Sequence, residues 1–468
     1  METGDRDQAR LSPPDARAGL LSPSKRLLTI GLTLVVTMIG FEALAVATAM
    51  PVVEDDLGGL QLYGLVFSGF MVANLVGAAY AGLEADRREP AMSFAIGLGL
   101  FGAGLILGGL APSMEVLVAG RCVQGLGSGM IVTLAYVGIA RGYEEALRPR
   151  MLAVLSSAWV IPGMIGPALA GAVADHLSWR LVFLGILPLL PLAGLLTLPV
   201  MRHLAPEKDM TPGSNRLLLS LVLAAGAGLV LTASTQSEAI VIVPLVATGS
   251  VVAVLALRAL LPPGTFTAAP GLPAAIAVLG ISSAAFFGTE AFLPFALTDV
   301  RGQSPTIAGL SLTAATLSWT AGAWIQAQRA QVWSRRSMVV AGMLFVISGI
   351  AIAGSVTIDE VPVMAAAVGW GVGGLGMGLA YSAVSLTILS EAPAEQTGYA
   401  SSSLHLANVL GVAFGAGIAG AIVGAGDAAD WATGTSTGAA FAVMAGLAVI
   451  ASVTALRLPG RPFAATGS

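Results

Sequence analysis

The chain is short of charge, of thiols and of lysine. Aspartate, glutamate, lysine and arginine make up 10% of its 468 residues, where a soluble domain carries about 25%, so it lacks the polar surface of a water-exposed globule. The one cysteine, Cys122, leaves no partner for a disulfide framework or a cysteine metal cluster. Lysine occurs only as Lys25, after Ser24, and Lys208, after Glu207. A Walker A loop needs Gly-Lys, so ATP cannot be bound that way. The three histidines, His176, His203 and His405, form no HExxH site. No nucleophile–base or metal-ligand cluster is legible, so no enzymatic chemistry, cofactor, metal or nucleic-acid partner is expected.

What the chain has is apolar length. Hydrophobic residues reach 56% and the mean hydropathy is +0.86, the composition of a polytopic membrane protein. A span needs about 20 mostly apolar residues. Six fit near 27–52, 61–83, 91–111, 116–140, 151–174 and 180–201, and two near 216–234 and 239–261. Six more fit near 271–297, 306–328, 337–356, 361–389, 398–424 and 436–457. The expected fold is all-α, with fourteen transmembrane helices as two six-helix bundles and a two-helix central insert. Its divisions are a polar tail (1–26), an N-terminal bundle (27–203), a linker with the insert (204–262), a C-terminal bundle (263–458) and a short tail (459–468). The first apolar run is too long for a signal-peptide core and is expected to stay as a span.

Orientation follows from the cations. With a cytoplasmic N-terminus, Lys25, Arg26, Arg87, Arg88, Arg141 and Arg148 fall inside, as do the remaining loop cations apart from Arg180 and Arg301. That is a positive-inside pattern, and it places both termini in the cytoplasm. Two blocks of like spacing suggest an internal repeat, the arrangement in which substrate binds at the midplane between halves that rock.

Within the spans two charges stand out. Arg121 lies in VLVAGRCVQGLGSGMIVTLAYVGIA and Glu42 in GFEALAVATAMP. Intramembrane charges are costly and face a partner or a polar cavity. Glu42 is about 15 Å and Arg121 about 8 Å below the outer ends of their spans, at 1.5 Å per residue, within reach of a long arginine side chain. A carboxylate and a cation that pair and separate can take up and release a proton; a permanent structural ion pair is the plainer alternative. Gln124, on the arginine's face, is a cavity candidate, and Glu290, nearer the outer end of its span, is a second coupling candidate or an interfacial carboxylate in contact with water. Trp159, Trp319, Trp370 and Tyr381 are either cavity aromatics or, more simply, core or lipid-facing side chains. His405 and Asn408 share a face and either touch substrate or hydrogen-bond between helices. The letters GxGxxG at Gly369, Gly371 and Gly374 lack the strand–helix setting of a dinucleotide site and read as close helix packing.

These motifs resemble the major facilitator superfamily, and within it the fourteen-helix drug:proton antiporter branch, from Thr29 to Leu458. ALAVATAMPVVEDDLGG resembles that branch's first-helix signature. GLEADRREP resembles the superfamily's loop after the second helix through Gly82, Asp86 and Arg87, with Glu89 and Pro90 replacing its later glycine and cation. Arg121, Gln124 and Gly125 match the R-x-x-Q-G motif, which the resemblance links to proton coupling. PGMIGPALAG resembles the antiporter motif through Gly166, Pro167 and Gly171, with Ala170 in place of one glycine. SWRLVF matches at Trp179, Arg180 and Phe183, and LPFALTDVRGQSPTIAGL resembles the ninth-span exit.

The resemblance implies a proton-coupled exporter of amphipathic or cationic small molecules in the cell membrane, acting as a monomer. Glu42 would be the protonation switch, modulated by Arg121, with Gly166, Pro167 and Gly171 shaping a gate helix and Asp86 and Arg87 latching the cytoplasmic side. The alternatives are a dedicated exporter of one metabolite, lipid or siderophore, or a non-transporting scaffold or sensor.

Overall fold

The computed structural model describes residues 19–462 apart from 24, 88, 145–146, 205–214, 234–238 and 392–396. Most of the N-terminal tail, the centre of the linker and the last residues therefore lie outside it. Among the described residues every regular element is helical. The first block comprises α1 (Arg26–Leu57), α2 (Tyr63–Arg87), α3 (Pro90–Gly109), α4 (Met114–Gly142), α5 (Arg148–Ser157), α6 (Val160–His176), α7 (Arg180–Leu184) and α8 (Leu189–Met201). Next come α9 (Asn215–Ala233) and α10 (Ala239–Leu260). The last block has α11 (Leu272–Phe295), α12 (Pro305–Arg329), α13 (Arg335–Gly354), α14 (Met364–Glu391), α15 (Thr397–Ala428) and α16 (Thr433–Ala455).

Among the described residues, eleven helical stretches are long and apolar enough to cross a membrane. The expected spans at 151–174, 216–234 and 306–328 are helical but fall outside that set. The first is broken into α5 and α6, the apolar part of the second is only Leu217–Val230, and α12 carries threonines, serines and Gln326 along its length. The interruption lies at Ala158–Trp159, and α6 runs through Pro167. Pro162 lacks the N–H that would bond to the Ala158 carbonyl, so the helix restarts there.

Lipid offers no hydrophobic drive for helix association, so small residues that let backbones approach are the cohesive element. On α4, a Cβ at Gly125 would lie 2.2 Å from the Phe70 carbonyl and one at Gly129 would lie 1.9 Å from that of Asn74, both on α2. On α14, Gly374 and Gly378 meet the Ala315 and Trp319 carbonyls of α12 at 2.2 and 2.0 Å. Gly127 packs on α3 at Phe101 as Gly376 packs on α13 at Gly342. Gly369 and Gly374 thus serve packing, as their setting predicts. The reason is visible in the chain once aligned: GRCVQGLGSGM at 120–130 and GWGVGGLGMGL at 369–379 share G-x-x-V-x-G-L-G-x-G. The two blocks are built on one pattern.

The blocks meet along two matching seams, α2 on α15 and α6 on α12. A Cβ at Gly64 would lie 2.7 Å from the Ala416 carbonyl, and one at Gly309 would lie 2.2 Å from that of Pro167. Gly171 meets the Pro305 carbonyl at 2.5 Å in the same way. Gly64, Gly171, Gly309 and Gly420 all lie toward one end of the bundle, where α1, α6, α11 and α15 finish and α2 and α12 begin. The helices α9 and α10 pack on each other, and Ala227 of α9 joins Val72 of α2 and Ala413 of α15 in a small apolar cluster. The central pair therefore rests against one seam.

Candidate functional site

The centre of the N-terminal block holds the two charges singled out in the sequence, and the structure brings them together. Glu42 of α1 is 0% exposed and Arg121 of α4 is 2% exposed. Arg121 Nη1 donates to Glu42 Oε1, in a direct ion pair, and to Gln124 Oε1 at 2.7 Å. Its Nε donates to the Val66 carbonyl of α2 at 3.2 Å, and its guanidinium lies 4.2 Å from the Phe70 ring centroid. Gly125 lets α2 approach close enough for Val66 and Phe70 to reach the guanidinium, so the helix packing builds this cage. The cage is not closed: Glu42 Oε2 and Gln124 Nε2 are buried and have no hydrogen-bond partner. Buried polar atoms without partners are costly, and Glu42 Oε2 is the carboxylate oxygen left to accept a proton.

The C-terminal block has an acid in the matching place. Glu290 of α11 is half-buried and approaches the indole of Trp370, which is wholly buried. That indole N–H makes no well-formed hydrogen bond. Within the shared glycine pattern, Trp370 occupies the place of Arg121. The Trp370 ring stacks on Phe286 at 4.4 Å between centroids, Phe286 meets Trp319 edge-on at 5.4 Å, and Trp319 meets Tyr381 at 5.5 Å. Tyr381 lies within electrostatic reach of Tyr136 on α4, so this aromatic surface looks toward the N-terminal block.

The other predicted residues divide. Asn408 Oδ1 accepts from the Ser283 hydroxyl at 2.9 Å, joining α15 to α11, so this oxygen serves helix–helix bonding. His405 and Trp159 are exposed, and Trp159 covers Gly40 of α1, where a Cβ would sit 3.0 Å from its ring. Gly166 faces Phe41, while Pro167 and Gly171 contact α12 across the seam. Gly82 has open space beside it. Asp86 and Arg87 end α2, and their side chains lie outside the described residues.

At the seam end, Asp56 accepts from Trp179 Nε1 at 3.0 Å and from Arg180 Nη1 at 2.8 Å, tying the first-helix signature to the W-R-x-x-F motif. Arg301 donates to the Val356 and Val361 carbonyls, so both exceptions to the cation pattern have local duties. Nearby, the carboxylates of Glu54, Asp55 and Asp299 lie within 4.8 Å of one another. At the opposite end Lys25 pairs with Glu144, and its hydrogen bond and charge hold that carboxyl below the usual range. Arg335 pairs there with Glu391.

Paired glycine-built blocks of membrane-length helices around a buried ion pair are the architecture of a multi-pass membrane transporter. The sequence pattern of the Major Facilitator Superfamily matches residues 30–326, and the chain belongs to that family. It is 28% identical to a probable multidrug-efflux transporter of Mycobacterium tuberculosis over 425 residues, 87% of this chain and 89% of that one. It is 26% identical to the multidrug transporter protein MdtP of Bacillus subtilis, over 86% of this chain and 76% of that one. Among solved structures, a D-xylose-proton symporter matches with a TM-score of 0.67 and 15% identity, over 93% of this chain and 98% of that one. A bacterial homologue of the lysosomal transporter Spinster, inward-facing and unoccupied, matches with a TM-score of 0.67 and 14% identity, over 92% and 96%. At these identities the two structures speak for the fold.

Proposed function

We propose that this protein is a proton-coupled exporter of amphipathic or cationic small molecules, working as a monomer in the cell membrane by alternating access. The observation that carries the reading is the wholly buried Glu42–Arg121–Gln124 group with one carboxylate oxygen unpaired. A proton arriving at Glu42 Oε2 neutralises the carboxylate and weakens its hold on Arg121; losing that proton restores the pair. The two states of the pair differ in what α1 and α4 hold between them, which is the differential interaction a population shift requires. The names of the multidrug relatives support export.

In this reading the chain has fourteen spans in the divisions 27–203, 204–262 and 263–458, with both termini cytoplasmic. The cation distribution supports that orientation. The glycine seams then lie at the outer end and close it. Gly166, Pro167 and Gly171 shape the gate helix α6, and Gly82, Asp86 and Arg87 hold the cytoplasmic side in the opposite state. Gln124, Trp159, Tyr381, His405 and Asn408 contribute to the substrate cavity, and Glu290 is the second acid available to the cycle.

The test is efflux of a fluorescent cation from proteoliposomes under an imposed pH gradient. Uphill efflux by wild type that is lost in Glu42→Gln is the expected result. Uphill efflux persisting in the variant removes Glu42 from coupling, and a folded wild type that moves nothing removes the export reading.

A further inference from the structure

A groove of about 600 Å³ runs between α3 and α8. Neither helix takes part in the two seams, so the groove lies on the flank of the N-terminal block, off the path between the blocks. Small residues carve it: Ala95 and Gly99 of α3 and Gly194 of α8 line it, and a Cβ at Gly99 would meet nothing within 4 Å. Its walls are apolar, and Pro191, Leu195 and Pro199 are exposed along α8. From Leu190 to Arg202 it follows α8 for about 18 Å at 1.5 Å per residue, close to half of a hydrocarbon core about 30 Å thick. The groove therefore has the length of one leaflet. It ends at Arg202, whose side chain is exposed and makes no hydrogen bond or ion pair among the described residues. That mouth lies at the end of the bundle that carries the Lys25–Glu144 pair, opposite the glycine seams. Lipid tails are as apolar as leucine, so a tail gains only packing from such a groove. The guanidinium at its mouth adds the charge that can select a headgroup.

We propose that this groove binds one anionic phospholipid of the adjoining leaflet, with an acyl chain along Gly99 and Gly194 and its phosphate on Arg202. A guanidinium can take two phosphate oxygens at once, and a basic residue at the mouth of a pocket between membrane helices is the setting that recognises anionic headgroups. A zwitterionic phospholipid brings the same chains and the same phosphate, but its own ammonium competes for that phosphate, so net charge decides between the two. Because α8 ends at Met201 and the linker follows, the lipid is held where the chain leaves the N-terminal block. In the orientation proposed above this mouth is cytoplasmic, although binding itself does not depend on that orientation.

The test is native mass spectrometry of the purified full chain, titrated in detergent with dioleoyl phosphatidylglycerol or dioleoyl phosphatidylcholine. Wild type is expected to take one phosphatidylglycerol about fivefold more tightly than phosphatidylcholine, the margin of one cation near a headgroup. Arg202→Gln is expected to bring the two lipids level. Gly99→Leu fills the groove from a position where a Cβ has open space, and it is expected to weaken both lipids by about threefold or more, since packing is what a tail gains there. Gly446→Leu, at an equally open glycine of α16, and Arg329→Gln, at another exposed cation, are the controls and are expected to change neither lipid. Glycerol phosphate, the headgroup without tails, is expected not to compete. Equal affinity for the two lipids in wild type overturns the proposal, as does an Arg202→Gln chain that keeps its preference, a Gly99→Leu chain that binds as wild type does, or a matching loss in either control. Competition by glycerol phosphate overturns it too, in favour of a soluble phosphate. The measurement uses no gradient, so a wild type that binds as expected yet moves nothing leaves this lipid site standing and refutes the export reading alone.

Discussion

The N-terminal and C-terminal blocks each carry an acid on their first helix, yet Glu42 is enclosed and Glu290 keeps part of its surface exposed. Glu42 has no exposed surface and shares Arg121 with Gln124, the Val66 carbonyl and the Phe70 ring. Glu290 is half-buried and faces an indole and a row of rings. Since the glycine packing that positions the two sites is the same, the difference comes from a few side chains: Arg121 against Trp370, and Gln124 against Gly373. A duplicated scaffold can thus hold two unlike electrostatic environments without altering its helix geometry.

The comparison breaks most visibly at Arg121. Arg121→Ala strands Glu42 as a buried unpaired acid and is expected to destabilise the fold by about 3–5 kcal/mol. Trp370→Phe keeps a ring against Phe286 and is expected to cost less than about 1.5 kcal/mol. Thermal unfolding of both variants in one detergent measures the gap, and equal losses would mean that the blocks treat the two positions alike. The next largest effect tests the equivalence of the scaffolds. Gly125→Val and Gly374→Val both force a side chain onto a carbonyl 2.2 Å away, and each is expected to cost about 1–3 kcal/mol through overpacking. A tolerated substitution at one site and not the other would end the equivalence.

Smaller changes sharpen the picture. Asn408→Ala removes a bond between α15 and α11 and is expected to cost about 1 kcal/mol in folded stability, read by thermal unfolding. The smallest effect lies at the loop pair. Because Lys25 holds the Glu144 carboxyl below its usual value of 4.5, their interaction stabilises the folded state above that value and is lost as the pH falls through the depressed one. The melting temperatures of wild type and Glu144→Gln are therefore expected to differ slightly at neutral pH and to converge in acid.

Much of this was legible beforehand because membranes make sequences simple to read. Apolar length marks spans, and a charge inside a span is rare enough to be noticed, so Glu42 and Arg121 could be paired from depth alone. The break between α5 and α6 was less legible, because an apolar run such as 151–174 reads as one span and the turn at Ala158–Trp159 leaves its hydropathy unchanged. Trp370 was seen as one aromatic among several. Its meaning appears only when the glycine repeat is aligned and the tryptophan falls on the arginine, a signal present in the sequence but carried by residues that look like mere packing. The α12 span was marked by position more than by hydropathy, since its hydroxyl side chains satisfy themselves on carbonyls one turn back, as Thr313 does on Gly309.

The glycine seams have a mechanical consequence. At Gly64 against Ala416 and at Gly309 against Pro167, the surfaces that meet are largely main chain. Parting them frees few rotamers and uncovers little greasy area, so neither position of the machine is deeply favoured by the joint itself. The joint resembles a polished bearing more than a latch: it fixes the line along which the blocks turn and leaves the direction of turning to whatever sits on the acids at the centre.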